Sequence, residues 1–95
     1  MDELLTMLKK SRGMLDTDTS LDEYLKEFID AAKADLGSDD ISETILATDI
    51  GKQTIVLYAQ KLIDNQDIAT NPTLTYLRNK LSAMTKGEEG YANRN

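Results

Sequence analysis

The chain has 95 residues, of which 17 are Asp or Glu and 11 are Lys or Arg, so its formal net charge is −6. This length fits a single domain, because one hydrophobic core typically serves about 100–200 residues. The sequence contains no histidine and no cysteine. Their absence excludes imidazole general bases, thiol nucleophiles, disulfides and the usual nitrogen–sulfur zinc sites.

The acidic residues are concentrated in the first half of the chain. Residues 1–48 carry 12 acidic and 5 basic side chains (net −7), whereas residues 49–95 carry 5 acidic and 6 basic ones (net +1). This asymmetry indicates either a solvated acidic surface or a polarised molecule whose acidic half faces a basic partner. Contacts to phosphates need clustered Lys and Arg, so we expect no specific nucleic-acid binding.

No segment of the sequence predicts a membrane partner. The longest apolar run, from Ile55 to Ala59, has five residues, whereas a membrane-spanning helix needs about 18 or more. The start, Met1-Asp2-Glu3, lacks the basic and apolar regions of a secretory signal. We therefore expect a protein that stays in the cytosol where it is made.

The first two predicted elements are helices. Residues 2–12 begin with acidic and end with basic side chains, as the helix dipole favours, and Gly13 is predicted to end this helix. Ser20-Leu21-Asp22-Glu23 has the pattern of a capping box. Apolar residues at helical spacing follow it, which predicts a second helix over residues 20–36 that ends at Gly37.

The second half of the chain predicts two further helices. Residues 37–48 are predicted to form a loop with one helical turn. Thr48-Asp49 can cap a helix that runs to about Asn65, and its apolar face of about 160° is typical of a central helix. Asn71-Pro72 opens the last helix, predicted over residues 72–85, because asparagine caps well and proline suits the first helical position. Gly87 is predicted to end it.

The predicted fold is therefore all-α: a compact bundle of four main helices. Residues 1–85 form a single helical domain, and residues 86–95 form a flexible C-terminal tail because they are polar and contain glycine. The predicted core consists of apolar side chains from the last three helices: Phe28, Ile29, Ile55, Ala59, Leu62, Leu77 and Leu81.

Catalytic and metal-binding patterns are weak. Residues 16–27 place oxygen ligands at the spacing of a calcium loop, but Leu21 stands where that loop needs glycine. The same residues are already assigned to the start of a helix. No two carboxylates are placed together in apolar surroundings, as acid–base catalysis requires. We therefore expect no metal, no cofactor and no enzymatic activity.

The candidate functional residues are contact residues on three parts of the chain. The first group is the acidic face of the second helix, with Glu23, Glu27 and Asp30. The second group is a small apolar spot with basic neighbours, formed by Ile50, Leu57, Arg78 and Lys80. An alternative role for Ile50 and Leu57 is packing within the same chain. The third group is the tail, with Tyr91 and Arg94.

Three stretches carry a resemblance to a known family: LDEYLKEFIDAAKADL (residues 21–36), GKQTIVLYAQKLIDN (residues 51–65) and NPTLTYLRNKLS (residues 71–82). Their order resembles that of the head–tail connector proteins of long-tailed bacteriophages, a family also labelled as DNA-packaging proteins. The shared features are the Ile29-Asp30-Ala31-Ala32 centre, an aliphatic helix with Tyr58, and Pro72 followed by Leu77-Arg78 and Leu81. The resemblance covers roughly residues 4–82 and rests on hydrophobic patterns, not on a catalytic signature.

The resemblance implies a structural virion protein. Members of the family form a homo-oligomeric ring at the head–tail junction beneath the portal, extend the DNA channel, and support head completion and tail attachment. The implied partners are the portal protein and neighbouring connector or tail proteins. DNA would pass through the lumen, and the chain would be made in the host bacterial cytoplasm.

The alternative function is that of a small helical regulator encoded on a mobile element, either DNA-binding or protein-binding. In a helix-turn-helix arrangement the last helix would read a major groove. Its polar side chains there would be Thr73, Thr75, Arg78, Asn79 and Lys80.

Overall fold

The computed structural model describes the backbone of residues 3–92 and the side chains of residues 3–87. This part of the chain contains five helices and no strand: α1 (Glu3–Ser11), α2 (Asp22–Ser38), α3 (Glu43–Leu46), α4 (Asp49–Ile63) and α5 (Pro72–Ala92). Because α3 is a single turn, the other four are the predicted main helices, and the all-α class is confirmed. The single turn within residues 37–48 is confirmed as well.

The centre of the bundle is α4, which contacts each of the other four helices. Nζ of Lys52 lies 2.9 Å from Oε2 of Glu3, near the start of α4 and α1. Nη2 of Arg12 lies 3.1 Å from Oδ1 of Asp64, just past the end of both helices. The two helices therefore run parallel. The contacts of α4 with all the other helices confirm the prediction that the third long helix is central.

The core lies between α4 and the helices around it. Four of the seven predicted core residues are buried, and Phe28 and Leu62 are half-buried against them. Leu77 is only half-buried; the fully covered leucines of α5 are Leu74 and Leu81. The remaining buried side chains come mainly from α1 and α2, including Leu4, Leu5, Leu8, Leu25, Ala32 and Leu36.

Two of the predicted helix caps are confirmed, and one is wrong. Oγ1 of Thr48 accepts the N–H of Gly51 at 3.2 Å, and Oδ1 of Asn71 accepts the N–H of Leu74 at 3.0 Å. At α2, however, the capping residue is Leu21, which has no side-chain acceptor. The predicted capping serine, Ser20, instead donates its backbone N–H and its hydroxyl to Oδ1 of Asp18, a local turn that competes with helix capping.

The predicted helix ends need correction. α2 ends at Ser38 rather than at Gly37, and α4 ends at Ile63, two residues before the predicted Asn65. The larger error is in α5, which passes through Gly87 to Ala92. Gly87 does not adopt the left-handed conformation that ends a helix, and one glycine costs a helix only about 1 kcal/mol relative to alanine. Gly13 does adopt it (φ 73°) and follows α1 as predicted.

The extension of α5 concerns only part of the predicted tail. The backbone of residues 86–92 is helical, so α5 extends into the segment predicted as the tail. Residues 93–95 lie outside the described residues. The predicted flexibility of residues 86–95 is a statement about motion and stays a prediction.

The turn between α3 and α4 depends on a glycine. A Cβ atom built on Gly51 would lie 2.6 Å from the carbonyl oxygen of Leu46 and would overlap with that of Ile45. Both obstacles are backbone atoms, so a side chain at position 51 cannot be accommodated by a rotamer change. The backbones of α3 and α4 therefore approach closely at Gly51, and this approach sets the position of the one-turn α3 on α4.

We predict that Gly51→Ala lowers the free energy of unfolding by about 2–3 kcal/mol, because the added methyl group forces α3 away from α4. Urea unfolding followed by circular dichroism measures the loss. Gly37→Ala is the matched control: it also lies in a helix, but an added Cβ there meets no atom within 4 Å. It should stabilise the protein by about 0.5–1 kcal/mol. Equal effects of the two substitutions would contradict the proposed close approach.

Candidate interaction surfaces

A buried lysine fixes the connector between α1 and α2. The side chain of Lys9 is fully buried, and its Nζ donates to the carbonyl oxygen of Asp16 and to Oδ1 of Asp22, both at 3.0 Å. An ammonium group without such partners would cost several kcal/mol in the interior. The connector must therefore fold over the end of α1, and the start of α2 is held beside it. The sequence pattern had assigned Lys9 only to the basic end of α1.

This arrangement leaves three large apolar side chains on the surface. Leu15 is 74% exposed, and Leu21 and Tyr24 are each 46% exposed. The ring of Tyr24 meets that of Phe28 edge-on, with 5.0 Å between centroids, which holds the tyrosine in place. We refer to Leu15, Leu21 and Tyr24 as the connector patch. Leu21 stands four residues before the buried Leu25, at helical spacing, but it is the N-cap residue of α2 and is exposed.

The predicted acidic face of α2 lies next to the connector patch. Glu23, Glu27 and Asp30 are all exposed, and none of them takes part in the ion pairs found among residues 3–87. Asp18 adds a further carboxylate, and hydrogen bonds from Ser20 hold the pKa of Asp18 below its usual range. This side of the molecule therefore presents negative charge that the fold does not neutralise.

Arg78 has a partner within the chain. Its Nε and Nη2 donate to Oδ2 of Asp39 at 2.8 and 2.5 Å, which joins α5 to the end of α2. Beside this pair, the hydroxyl of Tyr58 donates to Oδ2 of Asp35 at 2.8 Å and joins α4 to α2. Arg78, a candidate contact residue, is thus already engaged in joining α5 to α2.

The outer face of α5 carries an aromatic ring and a cation. Tyr76 is 61% exposed, and Nζ of Lys80 lies 5.9 Å from the centre of its ring, a cation–π distance. At 100° per residue, Tyr76 stands about 200° from the buried Leu74. We refer to Tyr76 and Lys80 as the α5 patch. Lys80 is one of the predicted contact residues, whereas Tyr76 is not. The position of Tyr76 off the seam of buried leucines nevertheless indicates exposure.

The remaining predicted contact residues are placed less openly. Ile50 and Leu57 are half-buried and pack against the core of their own chain, in line with the alternative role given to them. Leu57 also lines a shallow groove of about 360 Å³ between α1 and α4. Tyr91 falls on the last turn of α5, where the structure does not describe side chains, and Arg94 lies outside the described residues.

A cleft of about 450 Å³ lies between the start of α1, the end of α2, α3 and the start of α4. Its floor is apolar, and its rim carries two acidic and two basic side chains: Glu3, Lys33, Glu43 and Lys52. Within the rim, a hydrogen bond to Glu3 raises the pKa of Lys52. The cleft can receive an apolar group, and its rim favours neither sign of charge.

The chain finds no match among protein-family models, curated proteins or solved structures. No helix within residues 3–92 is both long and apolar enough to cross a membrane. Among the side chains of residues 3–87, no three acidic ones are grouped so that they could hold a metal ion.

We predict that the two partners in the buried ion pair respond differently to substitution. Asp22→Ala leaves the ammonium of Lys9 without its carboxylate and should cost about 3 kcal/mol of unfolding free energy. Lys9→Met removes the buried charge as well and should cost less than half as much. Asp30→Ala, which removes an exposed carboxylate from the same helix, is the control and should stay within about 0.5 kcal/mol. Urea unfolding that gives equal losses for Asp22→Ala and Lys9→Met would contradict the assignment.

Tyr58 should make stability depend on pH in the alkaline range. Burial and the neighbouring Asp35 raise the pKa of Tyr58 from 10.0 to about 12. The neutral phenol stabilises the fold fully below pH 10, and this contribution is lost as the pH rises towards 12. Relative to Tyr58→Phe, the unmodified protein should lose about 2 kcal/mol between pH 10 and 12. Urea unfolding of both proteins across that range tests this, and parallel pH curves would be the contrary result.

Proposed function

We propose that the chain is a structural virion protein that forms a ring at the head–tail junction of a bacteriophage. In this role it extends the DNA channel beneath the portal and supports head completion and tail attachment. The single observation that carries the proposal is the exposed carboxylate face of α2, whose Glu23, Glu27 and Asp30 form no ion pair within residues 3–87. The resemblance of residues 21–36, 51–65 and 71–82 to phage connectors gives this face its biological setting.

The chemistry of the acidic face suits a channel that DNA must cross. Phosphates bind tightly to clustered Lys and Arg and are repelled by carboxylates. A ring of copies that turned the Asp30 end of this face towards its axis would let DNA slide without adhering. The helical body supports this role, because a core shared by four long helices keeps the face in a fixed shape.

The regulator alternative receives less support from the geometry. A recognition helix needs positive charge for the phosphates, but Arg78 on α5 is paired with Asp39. Residues 64–71, between α4 and α5, number eight, whereas the turn of a helix-turn-helix motif has about 3–4. Both observations favour the structural role.

The proposed function predicts where the chain resides in phage particles. In virions made by the genetic element that encodes the chain, cryo-electron microscopy should show a ring of copies between portal and tail. Deletion of the gene should give DNA-filled heads that lack tails, because the junction cannot be completed. Normal tailed particles from the deletion strain, or purified virions without the chain, would contradict the proposal.

A binding measurement separates the two functions. As a virion component, the purified chain should bind duplex DNA no more tightly than the non-specific range of about 10⁻⁴–10⁻⁶ M at physiological salt. Sequence-specific binding in the nanomolar range, measured by mobility shift, would favour the regulator. The variant Lys80→Glu serves as a control. A regulator should lose sequence-specific DNA affinity on this change, whereas a connector has no sequence-specific affinity to lose.

A further inference from the structure

We propose that neighbouring copies of the chain associate head to tail, with the connector patch of one copy against the α5 patch of the next. The proposal rests on the ring-forming function above and names the contact that would build the ring. It is carried by the chemistry of the two patches, which lie on different helices and are complementary to each other.

The connector patch is an apolar surface with an acidic rim. Leu15, Leu21 and Tyr24 are exposed to solvent. Leu21 and Tyr24 stand three residues apart at the start of α2, so they are neighbours on the helix surface, and adjoining exposed apolar side chains with a polar rim mark interaction sites. Within residues 15–27, the exposed charged side chains are four acidic ones, Asp16, Asp18, Glu23 and Glu27, and one basic one, Lys26. A partner of this surface should therefore combine an apolar or aromatic group with positive charge.

The α5 patch has this combination. Tyr76 is the most exposed of the large hydrophobic side chains outside the connector patch, and Lys80 holds its ammonium beside the ring. Tyrosine is enriched at protein interfaces because it joins a large apolar surface to a polar end. Neither residue is used by the core, since Leu74 and Leu81 on the opposite face of α5 are the buried ones.

Charge determines that the contact is head to tail. Two connector patches facing each other would bring carboxylates against carboxylates, and two α5 patches would bring ammonium groups together. Like charges across an interface are strongly unfavourable. The favourable pairing joins two different surfaces, which is the heterologous type of contact that can close into a ring.

The size of the patches indicates weak association. A stable interface typically buries about 800 Å² on each partner, and five exposed side chains in the two patches cover less than this. Association in dilute solution should therefore depend on concentration. A platform that gathers copies, such as the portal, would raise their effective concentration and complete the ring.

Cross-linking through introduced cysteines tests the contact directly, because the chain has none of its own. Thr19 borders the connector patch, and Ala83 lies on the outer face of α5; both are exposed. A concentrated mixture of Thr19→Cys and Ala83→Cys proteins, treated with a short bismaleimide, should give mixed dimers at least about tenfold above either variant alone. The double variant should give a ladder of oligomers.

Two controls make the result decisive. Thr44→Cys, an exposed position on α3 that belongs to neither patch, gives the background of random collision. Lys80→Glu should reduce the mixed dimer about tenfold, and Lys80→Glu combined with Glu23→Lys and Glu27→Lys should restore it. Circular dichroism checks that each variant is folded. Dimers linked through position 19 alone or position 83 alone, no excess over Thr44→Cys, or no restoration would each overturn the proposal.

The cross-linking test of this contact and the virion test of the proposed function can fail independently. If virions contain the ring but the cross-links are absent, the copies use another contact and only this inference fails. If purified protein forms the mixed cross-link but virions lack the chain, the contact stands and the junction role fails. Cross-linking inside intact virions that carry the double variant tests the subunit contact and the presence of the ring in one experiment.

Discussion

The buried ammonium of Lys9 is the interaction on which the N-terminal half of the structure depends. A charge at this depth is tolerated only with partners, and the partners are a carbonyl of the connector and the carboxylate of Asp22. Both must be drawn inward, so the connector is bound to one path over the end of α1. Its leucines at positions 15 and 21 are left outside as a consequence. The exposed connector patch is therefore a result of how a buried charge is satisfied.

The other half of the molecule is organised by the contacts of α4. Gly51 lets α3 approach closely at one end, and the hydroxyl of Tyr58 links α4 to α2. Arg78 then joins α5 to α2 through Asp39. These contacts fix α5 relative to α2, so the connector patch and the α5 patch are held at set positions on one body. Such preorganisation reduces the entropy lost when two copies associate.

The sequence predicted what is local and missed what is distant along the chain. The helices and the caps at Thr48 and Asn71 follow from residues within four positions of one another, and these predictions are confirmed. The capping box at Ser20 failed because Asp18 competes for the serine hydroxyl and Asp22 is bound to Lys9.

Contacts between residues that are distant in sequence limit how much of the candidate site can be predicted. Arg78 was predicted as a contact residue from its charge, but its partner Asp39 is 39 positions away in sequence, and no periodic pattern encodes such a pair. Lys80 was predicted with the same reasoning and is free of ion pairs among residues 3–87. The exposure of Tyr76 is predictable from the sequence, because this residue stands off the buried seam of α5. A contact role for it is not predictable, since exposure alone does not distinguish an interface tyrosine from any other surface tyrosine.

The charge asymmetry along the sequence gives a charge asymmetry on the surface, because only some of the acidic residues form ion pairs. Of the acidic residues in the first half, Glu3, Asp22 and Asp39 are matched to cations by the fold. The carboxylates of the α2 face are left unmatched, so the excess negative charge gathers on one surface. In the proposed ring these surfaces would face one another across the lumen and repel. Salt or the counterions of passing DNA would screen that repulsion within about 10 Å at 0.1 M ionic strength, but the same salt would weaken the contact of Lys80 with its acidic rim. Ring closure is therefore a balance of two electrostatic terms of opposite sign, and the apolar part of the contact, from Leu15, Leu21 and the two tyrosines, is the part that salt does not weaken.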